Sequence, residues 1–287
     1  MRKVFISIVS LLIFVGLVLG TSSEAASKKL NLTISKGVTY YGEISNGKPH
    51  GQGTMKWGDT KTYSGGWING KRSGYGKFVV TDMSEAYPED ENLWDNVRTI
   101  TYKGYWKNDQ KNGNGILINH VDAHHSGNQE DSIQSGVFKN NLFVSGSELS
   151  SSSNNYYGFS VKMNNKEVKA QTSRDELNNA VYYTGEPNYF DMDFLETVMI
   201  GATPNVEFIE KDSKGNTIKV QYSYIQENEH GAFSIRKERY LNDKLVLEVT
   251  SDAEVENGNF LNEIAVKLKP YNNEFNKLFK LYKDQWE

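Results

Sequence analysis

The sequence predicts a mainly β protein: an elongated antiparallel sheet of successive hairpins, then a separate α+β module ending in an amphipathic helix. Three observations predict it. A 14-position pattern of glycines and aromatic residues occurs three times between residues 40 and 115. A serine-rich stretch follows, and beyond it the apolar residues are β-branched and aromatic in short runs. Near the end, Tyr271, Phe275, Leu278, Phe279, Tyr282 and Trp286 recur at helical spacing.

In chain order, residues 1–25 read as a signal peptide. Arg2 and Lys3 form a basic start, and residues 4–20 are an apolar run with polar side chains only at Ser7 and Ser10. Ser23 and Ala25 then supply small residues at the −3 and −1 positions of a cleavage site before Ala26. The run sits at the lower limit for a membrane span, so an uncleaved anchor is the second reading. Thr21 stands where a lipidated cysteine would be, and no lipid anchor is expected. The chain has no cysteine and hence no disulfide framework, which for an exported protein fits a Gram-positive bacterium. Without Arg2, Lys3 and Glu24, 30 basic and 35 acidic residues remain, a net charge of −5. That balance argues against nucleic acid, which needs a basic footprint, and against anionic membrane surfaces. Membrane contact is expected only through the N-terminal segment.

The repeat region is placed at residues 38–145. Its units read YYGEISNGKPHGQG from Tyr40, YSGGWINGKRSGYG from Tyr63 and YKGYWKNDQKNGNG from Tyr102. Asn46-Gly47, Asn69-Gly70 and Asn108-Asp109 are two-residue hairpin turns of the kind that favours positive φ. Regular pairing from these turns sets Gly42 opposite Gly51 and Tyr40 opposite Gly53. In the other units it sets Gly65 opposite Gly74, Tyr63 opposite Gly76, Gly104 opposite Gly113 and Tyr102 opposite Gly115. The glycines leave room for a Tyr ring to lie across the partner strand. The fifth-position residue pairs across the turn with Pro49, Arg72 or Lys111, which sets Trp67 against Arg72 and Trp106 against Lys111 as cation–π contacts. A fourth, degenerate unit starts near Gln134; Gly136 and Phe138 fall in place, but the later glycines do not.

This pattern resembles the MORN repeat. The resemblance implies an elongated array of hairpins that acts in scaffolding, protein binding or oligomerisation, with lipid binding attributed to some members, and it implies no catalysis by the repeats. The third unit departs from the pattern with Asp109 and Gln110 in place of Gly-Lys, a turn that survives because Asp tolerates positive φ.

Between the second and third units lies an acidic insertion, residues 81–99, read as a long loop. A second, residues 119–133, carries His120, His124 and His125. Their spacing would suit a metal only on a helix, and the surroundings read as loop, so no metal site is expected. Residues 145–155, six of them serine, are the expected flexible linker. In the module at 156–287, residues 156–163, 205–210, 216–226, 231–240, 244–250 and 260–268 read as strands. Turns are read at Lys214-Gly215-Asn216 and Asn242-Asp243-Lys244, short helices at 173–180 and 190–200, and an amphipathic helix at 271–286.

No nucleophile elbow or phosphate loop is present. Asp191, Asp193 and Glu196 would suit paired-carboxylate chemistry, but acids at a helix start are explained by its dipole. His230 reads as a turn residue. No cofactor is expected. The leading expectation is a non-enzymatic scaffold or binding protein, secreted or at the cell surface. Its contact residues would be Tyr63, Trp67, Tyr102 and Trp106, with Arg72 and Lys111 at the rim. The partner would be a protein or a cell-wall glycan, and the exposed repeat edge would also allow a homodimer. The alternative is a secreted enzyme with its chemistry in residues 156–287 and the repeats as a targeting module.

Overall fold

The computed structural model describes residues 29–84, 96–123, 132–151, 156–173, 206–226, 233–251, 254–271 and most of 273–281. The signal segment, residues 174–180 and 190–200 of the predicted helices, Asp191, Asp193, Glu196, His124, His125 and His230 lie outside these residues, and Ser173, expected to start a helix, ends a strand.

The described strands form one antiparallel sheet in which spatial order equals chain order. They are β1 (Leu30–Ser35), β2 (Val38–Ser45), β3 (Lys48–Trp57), β4 (Lys61–Ile68) and β5 (Lys71–Ser84). Next come β6 (Asn96–Lys107), β7 (Gln110–Ala123), β8 (Ser132–Lys139), β9 (Leu142–Ser151) and β10 (Tyr156–Met163). The sheet ends with β11 (Lys166–Ser173), β12 (Val206–Lys211), β13 (Thr217–Gln226), β14 (Phe233–Leu241) and β15 (Lys244–Thr250). The predicted turns are confirmed: Asn46, Asn69, Asn108 and Asp109 have φ of 51°, 51°, 50° and 67°. Asn140-Asn141, Asn164-Asn165 and Asn242-Asp243 repeat that geometry further along.

The register inside each unit differs from regular pairing. Gly42 faces Gly53, Gly65 faces Gly76 and Gly104 faces Gly115, while Ile44, Trp67 and Trp106 face Pro49, Arg72 and Lys111 as expected. Between these two sets of pairs the second strand carries extra residues. Gly51, Gly74 and Gly113, with φ of 64°, 73° and 111°, absorb this bulge. Tyr40 therefore pairs with Met55, and its ring reaches back diagonally over Gly53. The fourth unit keeps the plan: Gly136 faces Gly146, and its bulge is shorter, so the glycine arrives earlier in sequence than the pattern demands.

Residues 145–151, expected as part of a linker, run in β9, which pairs with both β8 and β10. Alternation decides this: Ser147 and Leu149 are fully buried on one side of the strand. Residues 260–268, expected as a strand, belong instead to α1 (Glu254–Leu268). Leu261, Ile264 and Leu268 all point to one side and are buried, a spacing that only a helix can satisfy. Strand β11 has no sequence-based counterpart; Val168 and Ala170 bury its alternate side chains after the Asn164-Asn165 turn. The described residues of 273–281 are helical, and Phe275 and Leu278 are buried in the core, as the apolar stripe predicts.

Two cores result, on opposite faces of the sheet. Pairing aligns Tyr40, Met55, Tyr63, Phe78, Tyr102 and Leu117 on one face, here face A, where they form an aromatic core. Ile118, Ile133, Leu149, Phe159, Ala170, Val206 and Tyr222 align on face B, where α1 and the following helical residues cover them. Ser251 Oγ accepts from Ile235 N–H at 2.8 Å and hydrogen-bonds Asn257, which ties α1 to the sheet. Lys237 pairs with Glu263 of α1 at 2.6 Å.

Candidate functional site: the faces of the repeat sheet

Each repeat builds one rung of an aromatic ladder. Tyr40, Tyr63 and Tyr102 lie over Gly53, Gly76 and Gly115, where an added Cβ would overlap the ring. Their hydroxyls donate to the carbonyls of Glu43 (2.7 Å), Gly66 (3.1 Å) and Tyr105 (3.1 Å). Trp67 then locks the second unit to the first: its Nε1–H donates to Gly53 O at 3.0 Å and its ring meets Tyr40 edge-on at 5.6 Å. Trp106 does the same one unit on, donating to Gly76 O at 3.4 Å and meeting Tyr63 at 5.4 Å. Phe138 takes this place in the fourth unit, 5.2 Å from Tyr102. Such edge-to-face pairs are worth about 0.5–1.5 kcal/mol beyond burial.

The turns interlock as well. Gly70, Asp109 and Asn141 donate their N–H to the carbonyls of Pro49, Arg72 and Lys111 in the preceding unit. Asp109, the departure from the repeat pattern, adds a side-chain grip: its Oδ1 accepts from Arg72 N at 2.9 Å and Nε at 3.1 Å. Asn141 Oδ1 takes Lys111 N in the same way at 2.9 Å.

These contacts relocate the residues expected to face a ligand. Tyr63, Trp67, Tyr102 and Trp106 are buried in the face A core. Arg72 does not stack on Trp67, its cross-strand partner; it covers Trp106 of the next unit, 4.1 Å from the ring centre. Lys111 likewise lies over Tyr102 and Phe138, at 5.5 and 5.2 Å, rather than over Trp106. Burial pushes the Tyr63 phenol above its ordinary range and the Tyr102 phenol up to about 12. It pulls the Lys111 ammonium below its usual value. All six residues come together, but as the frame of the sheet.

The exposed aromatics of the repeats are others. Tyr41, Tyr75 and Tyr105 are 52%, 59% and 50% exposed on face B. Tyr75 and Tyr105 are direct cross-strand partners with rings 5.5 Å apart. Lys77 and Lys103 form the next pair on the same face, and both are exposed. Period-two counting from Tyr40, Tyr63 and Tyr102 could have found Tyr41, Tyr75 and Tyr105, since the unit's bulge shifts the register by two residues and keeps the alternation. At the other end, Phe208, Val220, Met163, Val266 and Tyr271 line an open groove of about 550 Å³ beside α1, with the Lys166–Glu210 pair (3.0 Å) at its rim. His120 lies in β7, and no group of three metal-ligating side chains occurs among the described residues. No helix among the described residues is long and apolar enough to cross a membrane.

The MORN repeat profile matches residues 40–61, 63–81 and 102–118, so the chain carries MORN repeats. Alsin from Rattus norvegicus is 32% identical over 123 residues, 43% of this chain and 7% of alsin. MORN repeat-containing protein 3 from Xenopus laevis is 36% identical over 97 residues, 32% of this chain and 37% of that protein. ALS2 C-terminal-like protein from Homo sapiens is 30% identical over 98 residues, 34% of this chain and 9% of that protein. The chain thus spans a small part of these relatives, all three of them from animals.

Proposed function

We propose that this chain, with its MORN repeats as the premise, is a non-enzymatic binding protein and scaffold whose contact surface is face B of the repeat sheet. One observation carries the reading. The aromatic residues diagnostic of the repeat are consumed by the core, yet Tyr75 and Tyr105 stand side by side in solvent, and tyrosine is a preferred anchor at interfaces. The partner is a protein or a cell-wall glycan at the envelope. The protein acts outside the cytoplasm, secreted or at the cell surface, on the strength of its basic and apolar first 25 residues.

The test is capture of envelope components by the purified protein and by a Tyr75→Ala/Tyr105→Ala double variant. Both changes lie on an exposed face and leave the ladder intact. Loss of capture with an unchanged circular dichroism spectrum is the expected result, and equal capture by both proteins overturns the assignment. For export, mass spectrometry of the protein recovered from the producing cell should show a chain starting at Ala26.

A further inference from the structure

Two four-residue patches on opposite faces and at distant places in the sheet match each other. On β5 and β6, face B carries Tyr75 opposite Tyr105 and, one row along, Lys77 opposite Lys103. On β14 and β15, face A carries Glu238 opposite Glu248 and, one row along, Tyr240 opposite Leu245. Each patch has one row that carries tyrosine and one row of a single charge, and the two charges are opposite; in the second patch Lys219, 4.0 Å from Glu207, lies over the Tyr240 ring at 4.3 Å. In each, like charges sit directly across a strand pair, an arrangement that destabilises a sheet unless something neutralises it. Glu238 accepts from Gln221 Nε2 at 2.6 Å and from Tyr240 Oη at 3.1 Å, but neither partner carries a positive charge. Lys77 and Lys103 make no ion pair among the described residues, whereas Lys61, Lys111 and Lys219 each cover a ring. Leu245 and Glu248 are exposed on the last strand of the sheet.

Eight strands separate β6 from β15, and strands stack about 4.8 Å apart, so the patches of one chain do not meet. We propose that the occupant of the Tyr75/Tyr105/Lys77/Lys103 patch is the Glu238/Glu248/Tyr240/Leu245 patch of a second copy. The lysine row faces the glutamate row, and the tyrosine row faces Leu245 and Tyr240 with its covering Lys219. This names the partner for the surface assigned above and rests on that assignment. The contact joins two different surfaces, so it closes as a pair that uses both patches twice or continues from copy to copy. A patch of this size buries less than the roughly 1,200 Å² of a standard interface, which makes the association weak and sensitive to salt.

Sedimentation equilibrium of the full purified chain tests this. The wild type should show a mass that rises with concentration and falls back toward the monomer as salt is raised. Lys77→Glu/Lys103→Glu and Glu238→Lys/Glu248→Lys should each weaken association about tenfold or more. An equimolar mixture of the two variants should regain it, because each then offers the charge the other lacks. Recovery in the mixture also shows that both variants are folded. If either variant does not fold, the salt titration of the wild type decides. The proposal is overturned by a wild type that stays monomeric at all concentrations, by association indifferent to salt, or by variants that associate as the wild type does. A monomeric wild type that still loses envelope capture on Tyr75→Ala/Tyr105→Ala would sink the self-contact and leave the binding face standing.

Discussion

At Gly76 the backbone is ordinary, but an added methyl would overlap Tyr63 Oη, Cζ and Cε2. Gly76→Ala should therefore lower stability by about 1–3 kcal/mol, read from urea unfolding, as overpacked sites do. Gly258 gives the opposite sign. It lies inside α1 with open space around its Cα, so Gly258→Ala should stabilise by roughly 0.5–1 kcal/mol. Tyr102 makes the fold alkali-sensitive. Its phenol ionises near 10.0 when unfolded and at about 12 when folded, because burial disfavours the anion. The unfolded chain thus loses its proton first; the Tyr102 contribution is intact below pH 10.0 and is lost as pH rises toward 12. Tyr102→Phe should flatten that part of the stability-versus-pH curve. The tyrosine-over-glycine packing was legible in the sequence, since three copies of one spacing admit one explanation. The sidedness of Tyr75 was legible too, because the bulge at Gly74 shifts the register by two residues and keeps the alternation; what the sequence hid is that Tyr63 pairs with Phe78 rather than with Gly76.

At the scale of elements, the turns show how a departure from a repeat can strengthen it. Asp109 replaces a glycine, keeps a φ of 67°, and uses its carboxylate to hold Arg72 of the preceding turn. Asn141 holds Lys111 N without any charge, so hydrogen-bond geometry matters more than the ion pair. Asp109→Asn should cost less than about 1 kcal/mol, and salt should reduce the difference, since half-exposed pairs are worth little. Ile264→Ala in α1 is expected to cost about 2–5 kcal/mol in thermal or urea unfolding, because the side chain is fully buried in the face B core. The hairpins of the repeats could be read from Asn-Gly turns. Strand β9 hid behind its serines because small polar residues signal a loop by composition, while Ser147 and Leu149 are placed by neighbours that composition does not contain. Helix α1 was missed because Val266 and its neighbours look like a strand until Leu261, Ile264 and Leu268 are counted three and four apart.

At the largest scale, the described strands form a sheet that changes its buried side part-way along. Tyr63 belongs to the face A core and Phe159 to the face B core, two separate clusters among the described residues. The stability losses of Tyr63→Ala and Phe159→Ala should then add to within about 0.5 kcal/mol in the double variant. A larger coupling energy would mean that the two cores unfold as one unit. Strands β7 to β9 are where the change occurs. In β7, Leu117 packs on the aromatic core while Ile116 and Ile118 pack on the helix-covered one. In β8, Phe138 and Ile133 divide the same way, and in β9, Phe143 and Leu149. This crossover behaves like a reading frame. One residue inserted in the middle of β7 would send every later side chain of that strand to the wrong core at once. Two residues would restore the sense of the strand and disturb only its length. Insertions outside the strands, by contrast, leave the frame untouched.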